Sequence, residues 1–166
     1  TAKLSTIMFN DGIASSDVDS IQIKKIRILI TEVKFHNASE TDNLKDKLFK
    51  SGPLLFVADS TGNYLEMASG TIPSGSYNKL KFEIHRFESS VLNQYINSPL
   101  FNNFATSERY SVIINGVSFK NGISTRFEYK GTPTVNLTYD FENPIEFPAN
   151  VESNIYLMVN PMDIFK

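Results

Sequence analysis

The stretch SGTIPSGSYNKLKFEIHRF, residues 69–87, decides the fold class of this chain. Proline presets one turn dihedral and glycine accepts a positive one, so the segment Pro73–Gly75 predicts a tight turn. Beyond the turn, Leu80, Phe82 and Ile84 alternate with polar and charged residues. A period of two is typical of a half-buried strand. The stretch therefore predicts a β-strand whose apolar side chains share an inner face.

The longest β-like run lies upstream, over residues 21–36. Its apolar parity changes around Lys24 and Lys25, and one flat strand cannot change faces without a slip in register. We therefore predict either a bulge there or a bend where the strand crosses from one sheet to another. Leu29 and Ile30 are adjacent and both apolar, which predicts burial on both faces at that point.

Further strands follow the same logic along the chain. Residues 54–58 and 64–68 flank a five-residue loop that contains glycine, which predicts a hairpin. Asn-Gly within residues 120–123 predicts a two-residue hairpin turn, because both positions accept positive φ angles. Residues 135–141 form an unbroken period-two strand, and we expect it to end at the Asn-Pro of residues 143–144.

The segment of residues 89–107 interrupts this β pattern. Apolar residues at i, i+1, i+4 and i+5 from Val91 predict one short helix in a loop excursion. Tyr95, Phe101 and Phe104 lie outside the regular strands and are candidate binding residues, since aromatic rings can stack on a sugar. The alternative, that the three rings pin the loop to the core, is the favoured interpretation.

Length and composition bound the class of protein. We expect 166 residues to form a single domain, residues 1–166, with an all-β fold: one antiparallel β-sandwich with a short helix. A net charge of -2 argues against nucleic acid as a partner. Cysteine is absent, which excludes disulfides and thiol nucleophiles. No apolar run is long enough to predict a transmembrane segment.

No catalytic constellation is visible, and we predict that the protein is not an enzyme and needs no cofactor. His36 and His85 lie on predicted strands with no recognisable nucleophile motif, so exposed strand histidines are the favoured interpretation over a hydrolase based on His85. Asp11, Asp17 and Asp19 share one loop and offer the oxygen ligands that Ca²⁺ uses. Their spacing is not that of an EF-hand, and ordinary turn chemistry explains them as well.

Four segments carry a family resemblance: EVKFH at residues 32–36, IPSGSYNKLKFEIHR at 72–86, ERYSVIINGVSF at 108–119 and NPMDIFK at 160–166. With these features the chain resembles the exported bacterial domains of domain of unknown function family 4382. The resemblance implies a prealbumin-like or immunoglobulin-like Greek-key sandwich that is secreted and often lipid-anchored. It implies no activity, because the family has no established catalytic residues.

We therefore expect a non-enzymatic structural or binding module, extracellular or on the outer cell surface of a bacterium, with a protein or a glycan as partner. The alternative is a subunit of an extracellular filament. In that case the strand of residues 4–9, or the tail after Ile155, would complete the sheet of a neighbouring copy. A carbohydrate-binding module is a third and less favoured expectation.

Overall fold

A computed structural model of the chain describes residues 6–8, 18–37, 48–59 and 72–151. These residues contain eight strands, and every strand pair is antiparallel. The strands are β1 Thr6–Met8, β2 Ser20–Asn37, β3 Leu48–Ser51, β4 Leu54–Asp59, β5 Gly75–Ile84, β6 Val112–Lys120, β7 Ile123–Gly131 and β8 Val135–Phe147. One short helix, α1 Leu92–Tyr95, follows a 3-10 turn at Ser89–Val91. The prediction of an all-β, antiparallel fold with a single short helix is confirmed.

Strand β2 organises the sheet because neighbouring strands pair with it along both of its edges. Its residues 20–28 pair with β6, and its residues 30–37 pair with β5. β4 and β3 run along its other edge. The strand order β7-β6-β2-β5-β8 thus has a β6 wing (β6 and β7) and a β5 wing (β5 and β8) joined by β2. Buried side chains of both wings meet in one main core, which makes the open sheet sandwich-like.

The residues of the long strand that face the main core change parity twice, and each change coincides with a shift in register. The first shift lies between Ile23 and Lys25, where the sequence predicts a bulge, and that prediction is confirmed. The second lies between Ile30 and Glu32. Between the two shifts, Ile30 is buried in the main core and Leu29 is buried on the opposite face, as predicted. A bulge adds one residue to the strand, so even-numbered and odd-numbered residues exchange faces beyond it.

The turn and strand of residues 72–84 are fastened to the main core by one tyrosine. Leu80 and Phe82 are buried there, as the alternation predicts. Tyr77 has the opposite parity, yet it is also buried, because a register shift at Asn78 turns it inward. Its hydroxyl donates a 2.8 Å hydrogen bond to the carbonyl of Pro73, and burial raises the pKa of this phenol. The turn and the core therefore hold each other in register.

Residues 87–110 cover the face of β2, β4 and β6 that lies opposite the main core. Phe104, which has no exposed surface, packs there with Leu29 and Ile113 in a second group of buried side chains, the outer cluster. Val91, Leu92, Tyr95, Phe101 and Tyr110 border this cluster. The predicted helix is thus present, but Ile96 lies beyond its end and is exposed. The excursion supplies the cover that this face of the sheet needs.

Two strand predictions are corrected by the structure. β8 does not end at Asn143-Pro144 but continues to Phe147. Its residues 141–144 bulge outward opposite the single residue Asn78, so the proline falls where no ladder hydrogen bond is required. β3 was not predicted, although it pairs with residues 33–36 of β2. The predicted strand of residues 64–68 lies outside the described residues.

Candidate functional site

The predicted calcium loop is represented in the structure by a single aspartate. Asp11 and Asp17 lie outside the described residues. The carboxylate of Asp19 accepts a 2.7 Å hydrogen bond from the backbone N–H of Asn121, and the Asp19 N–H donates to the carbonyl of Phe119 at 2.7 Å. Asp19 thereby anchors the β6–β7 turn. Over the part of the chain that the structure describes, no three acidic or histidine side chains are grouped closely enough to hold a metal ion.

The three candidate aromatic residues have different degrees of exposure. Phe104 is 0% exposed, so its assignment as a ligand-binding residue is corrected: the ring belongs to the outer cluster. Tyr95 stacks on Phe87 with ring centroids 4.4 Å apart and an interplanar angle of 7°. Phe101 meets the Tyr95 ring edge-on at 5.5 Å. Of the three, Tyr95 also borders a cleft, which we call the polar cleft.

The polar cleft lies where the second bulge of β2, the β3–β4 link, the end of β5 and α1 converge. Its volume is about 570 Å³. The cleft is lined by Thr31, Glu32, Lys50, Ser51, Gly52, Pro53, Glu83, His85, Arg86, Phe87, Glu88, Val91 and Tyr95. These residues come from four separate segments, so no local motif in the sequence announces the cleft. The parity change of β2 was the one available signal, since bulges are frequent beside functional sites.

A network of ion pairs fixes the charged wall of the cleft. Glu32 binds Lys50 with Oε1 at 2.9 Å and Lys34 with Oε2 at 3.1 Å, and Lys34 also pairs with Glu83. Burial alone would raise the pKa of Glu32, but the hydrogen bonds and charges of the two lysines outweigh it and lower the pKa. The hydrogen bond to Glu83 raises the pKa of Lys34 despite its burial. The lowered pKa of Glu32 and the raised pKa of Lys34 keep these two residues ionised at neutral pH.

His85 and Arg86 occupy the same cleft with different roles. The Nδ1 atom of His85 lies 2.6 Å from the carbonyl oxygen of Arg86 and 3.9 Å from a carboxylate oxygen of Glu88. Because a carbonyl oxygen only accepts, the Nδ1 atom of His85 is the donor in this contact. The guanidinium of Arg86 is half-buried and forms no ion pair or hydrogen bond in the part of the chain that is described.

Gly52 closes the cleft at the β3–β4 link, and no other residue fits there without strain. Its φ of +140° is one that L side chains rarely adopt. A Cβ at this position would lie 2.6 Å from the carbonyl oxygen of Thr31 at the second bulge. The glycine therefore allows the link to approach β2 closely and sets the position of Lys50 relative to Glu32.

A different surface lies at the free edge of β8. Among the described residues β8 pairs with β5 alone, so its other edge carries no ladder hydrogen bonds. Leu137 and Tyr139 stand opposite the core residues Phe82 and Leu80, and therefore lie on the same face of the sheet. Leu137 is nevertheless 49% exposed, Tyr139 62% and Val135 38%. These three residues form what we call the β8 stripe: apolar, inward-facing and uncovered.

The opposite end of the sheet repeats the pattern with the opposite charge. Within the described residues β7 pairs with β6 alone, and Ile123 and Tyr129 are exposed large apolar side chains. The sequence of β7 carries two basic and one acidic side chain, Arg126, Lys130 and Glu128. That of β8 carries three acidic side chains and no basic ones, Asp140, Glu142 and Glu146. The two free edges are thus of opposite formal charge.

The basic residues of β2 near its first bulge differ in exposure. Lys24 and Lys25 are exposed, whereas Arg27 is half-buried with Nη2 3.7 Å from a carboxylate oxygen of Glu128 on β7. The arginine is therefore engaged within the sheet.

None of the helices in the described segments has the length and apolar character that a membrane crossing requires.

Comparison with known proteins adds no identification. No family model, no curated protein and no solved structure matches the chain. The resemblance to family 4382 stays a prediction. The polar cleft and the β8 stripe are the two candidate functional surfaces.

Proposed function

We propose that the protein is a non-enzymatic structural or binding module, exported by a bacterium to its surface or surroundings, that binds another polypeptide through the free edge of β8. The observation that carries this proposal is the β8 stripe. An edge strand with unpaired backbone groups and exposed apolar side chains is a template for an added strand. The main-chain hydrogen bonds would give affinity, and the stripe would give apolar contact.

Natural proteins normally blunt such edges with lysines, prolines or very short strands. β8 has thirteen residues, and its segment 135–140 pairs with β5 without interruption. The wide bulge and Pro144 protect only the second half of the strand. The accessible template is therefore residues 135–140, beside the β8 stripe.

The partner that the described residues favour is a second copy of the chain. The acidic β8 edge would meet the β7 edge, which carries an excess of positive charge and exposes Tyr129. Because β7 and β8 are different surfaces, this contact is head-to-tail, and repetition of it builds an open filament unless the rotation closes a ring. This is the filament expectation with β7, rather than a terminal segment, as the donated edge.

The test is the association state of the purified protein as a function of concentration. Leu137→Lys places a charge on the inner face of the edge, and Thr138→Lys, its neighbour on the opposite face, is the matched control. We expect the wild type and Thr138→Lys to associate in sedimentation velocity runs. We expect Leu137→Lys to associate at least about tenfold more weakly, because a desolvated lysine opposes pairing.

A strict monomer at millimolar concentration would contradict the edge-to-edge proposal, and equal association of the two lysine variants would contradict the role of the β8 stripe. The exported location rests on the family resemblance. We expect the gene to encode an export signal upstream of Thr1, and a coding sequence without one would contradict that part of the proposal.

A further inference from the structure

The polar cleft combines a charged wall, an aromatic ring and a cation without a partner, and no residue of β8 is in its lining. We propose that this cleft binds a carbohydrate unit that carries a carboxylate, the chemistry of a uronic acid residue in an acidic glycan. The proposal does not depend on strand pairing at β8.

The charge of the ligand follows from which groups in the cleft are already engaged. Lys34 and Lys50 neutralise Glu32 and Glu83, so these four side chains form a closed network. Arg86 is left as the half-buried cation without a partner among the described residues that line the cleft. A guanidinium without a protein partner can bind an anion, and its planar fork matches a carboxylate through two parallel N–H···O bonds.

The ring of the ligand follows from Tyr95. This side chain is half-buried at the cleft, and Phe87 holds it by parallel stacking at 4.4 Å while Phe101 meets it edge-on. Val91 lies beside it in the lining. A tyrosine fixed in this way offers an apolar surface with a polar tip, which suits the C–H face of a sugar better than it suits a small hydrated anion.

The hydroxyl groups of the ligand follow from the remaining polar atoms. Ser51 donates and accepts, Glu88 accepts through a carboxylate, and the His85 ring offers its Nε2 atom for a further hydrogen bond. A ligand that both donates and accepts in several directions satisfies this mixture, and a polyol does so. The volume of about 570 Å³ falls in the ordinary range of small-molecule sites, roughly 300–1,000 Å³.

The experiment is a titration of the whole chain, followed by amide NMR shifts and calorimetry, with a trimer of galacturonic acid. A neutral glucose trimer and sodium acetate are the reference probes. We expect the acidic trimer to shift the amides of residues 50–53 and 85–95, with at least about tenfold tighter binding than either reference, as expected for one charge-assisted bidentate contact plus a ring contact.

The variant Arg86→Gln should weaken binding of the acidic trimer about tenfold or more and leave the weak binding of the neutral trimer unchanged. Arg126→Gln is the matched control, since it removes an exposed arginine on β7, away from the cleft. The melting temperature of each variant shows that it is folded. Absence of binding at millimolar acidic trimer, equal binding of the glucose trimer or of acetate, or an unchanged affinity in Arg86→Gln would each overturn the proposal.

Discussion

The outer cluster on the β6 wing and the β8 stripe on the β5 wing are both apolar faces of β-strands, but one is covered and the other is not. Ile113 and Phe104 are 0% exposed in the outer cluster. Leu137 and Tyr139 are 49% and 62% exposed, although they lie beside core residues. Residues 135–141 of β8 alternate regularly between apolar and polar side chains, whereas β6 begins with three consecutive apolar residues, Val112–Ile114.

The difference lies in what packs on each face. Residues 87–110 fold over the outer side of β6 and contribute Phe87, Phe104 and Ala105 to the buried set. On β8, the ring of Tyr139 contacts the partly buried Phe141 of the same strand, with ring centroids 5.3 Å apart. Alternation thus specifies which face of a strand is apolar, whereas cover depends on a segment elsewhere in the chain.

The largest expected effect compares truncation in the two regions. Phe104→Ala should lower the free energy of unfolding by about 3–5 kcal/mol, because it leaves a cavity among fully buried side chains. Leu137→Ala should lower it by about 1 kcal/mol or less, because half of that side chain is in contact with water. Urea unfolding of both variants measures the two free energies.

Equal losses in those two variants would mean that the β8 stripe is covered to the same degree as the outer cluster. A loss below about 1 kcal/mol in Phe104→Ala would mean that the excursion is not part of the folded core. Either result would contradict the claim that the outer cluster is covered and the β8 stripe is not.

The smallest expected effect concerns the polar cleft, which lies between the two regions. The pKa of Glu32 is lowered in the folded chain from its ordinary 4.5, so its contribution to stability is present above that pH and is lost as the pH falls through the folded value. Glu32→Gln should therefore destabilise by about 0.5–1 kcal/mol at pH 7 and by less at pH 3. Urea unfolding at the two pH values measures the change.

Glu142→Gln on the exposed β8 edge is the control for that experiment, since no described partner contacts the Glu142 carboxylate. We expect the free energy of unfolding of this variant at pH 7 to equal that of the wild type. A Glu32→Gln variant whose destabilisation grows as the pH falls would have the wrong sign and would contradict the ion-pair network.

Much of the fold follows from local sequence signals. The Asn121-Gly122 turn is present with positive φ at both residues, and the bulge at Lys24-Lys25 falls where the parity changes. Both are set by the backbone preferences of a few neighbouring residues. Pro144 misled the prediction because it lies in a bulge of β8 opposite the distant strand β5, where no ladder hydrogen bond is required.

The candidate sites are less predictable because they depend on contacts between distant segments. Tyr95 was found as a ring outside the strands, but Phe104 has the same local context and is fully buried. The pairing of Glu32 with Lys50 joins β2 to β3, a strand that the sequence did not reveal. Whether a side chain is engaged or free, as at Arg86, follows only from the assembled fold.

The central claim is that the edge of β8 accepts an added strand, and amide hydrogen exchange tests it most directly. The backbone N–H groups of residues 135–140 that point away from β5 should exchange quickly in dilute protein and slow down at the concentrations where the chain associates. The amides of the outer cluster should be protected at every concentration. If the outward amides of β8 exchange at the same rate when the protein is associated as when it is dilute, β8 is not the interface and the claim is wrong.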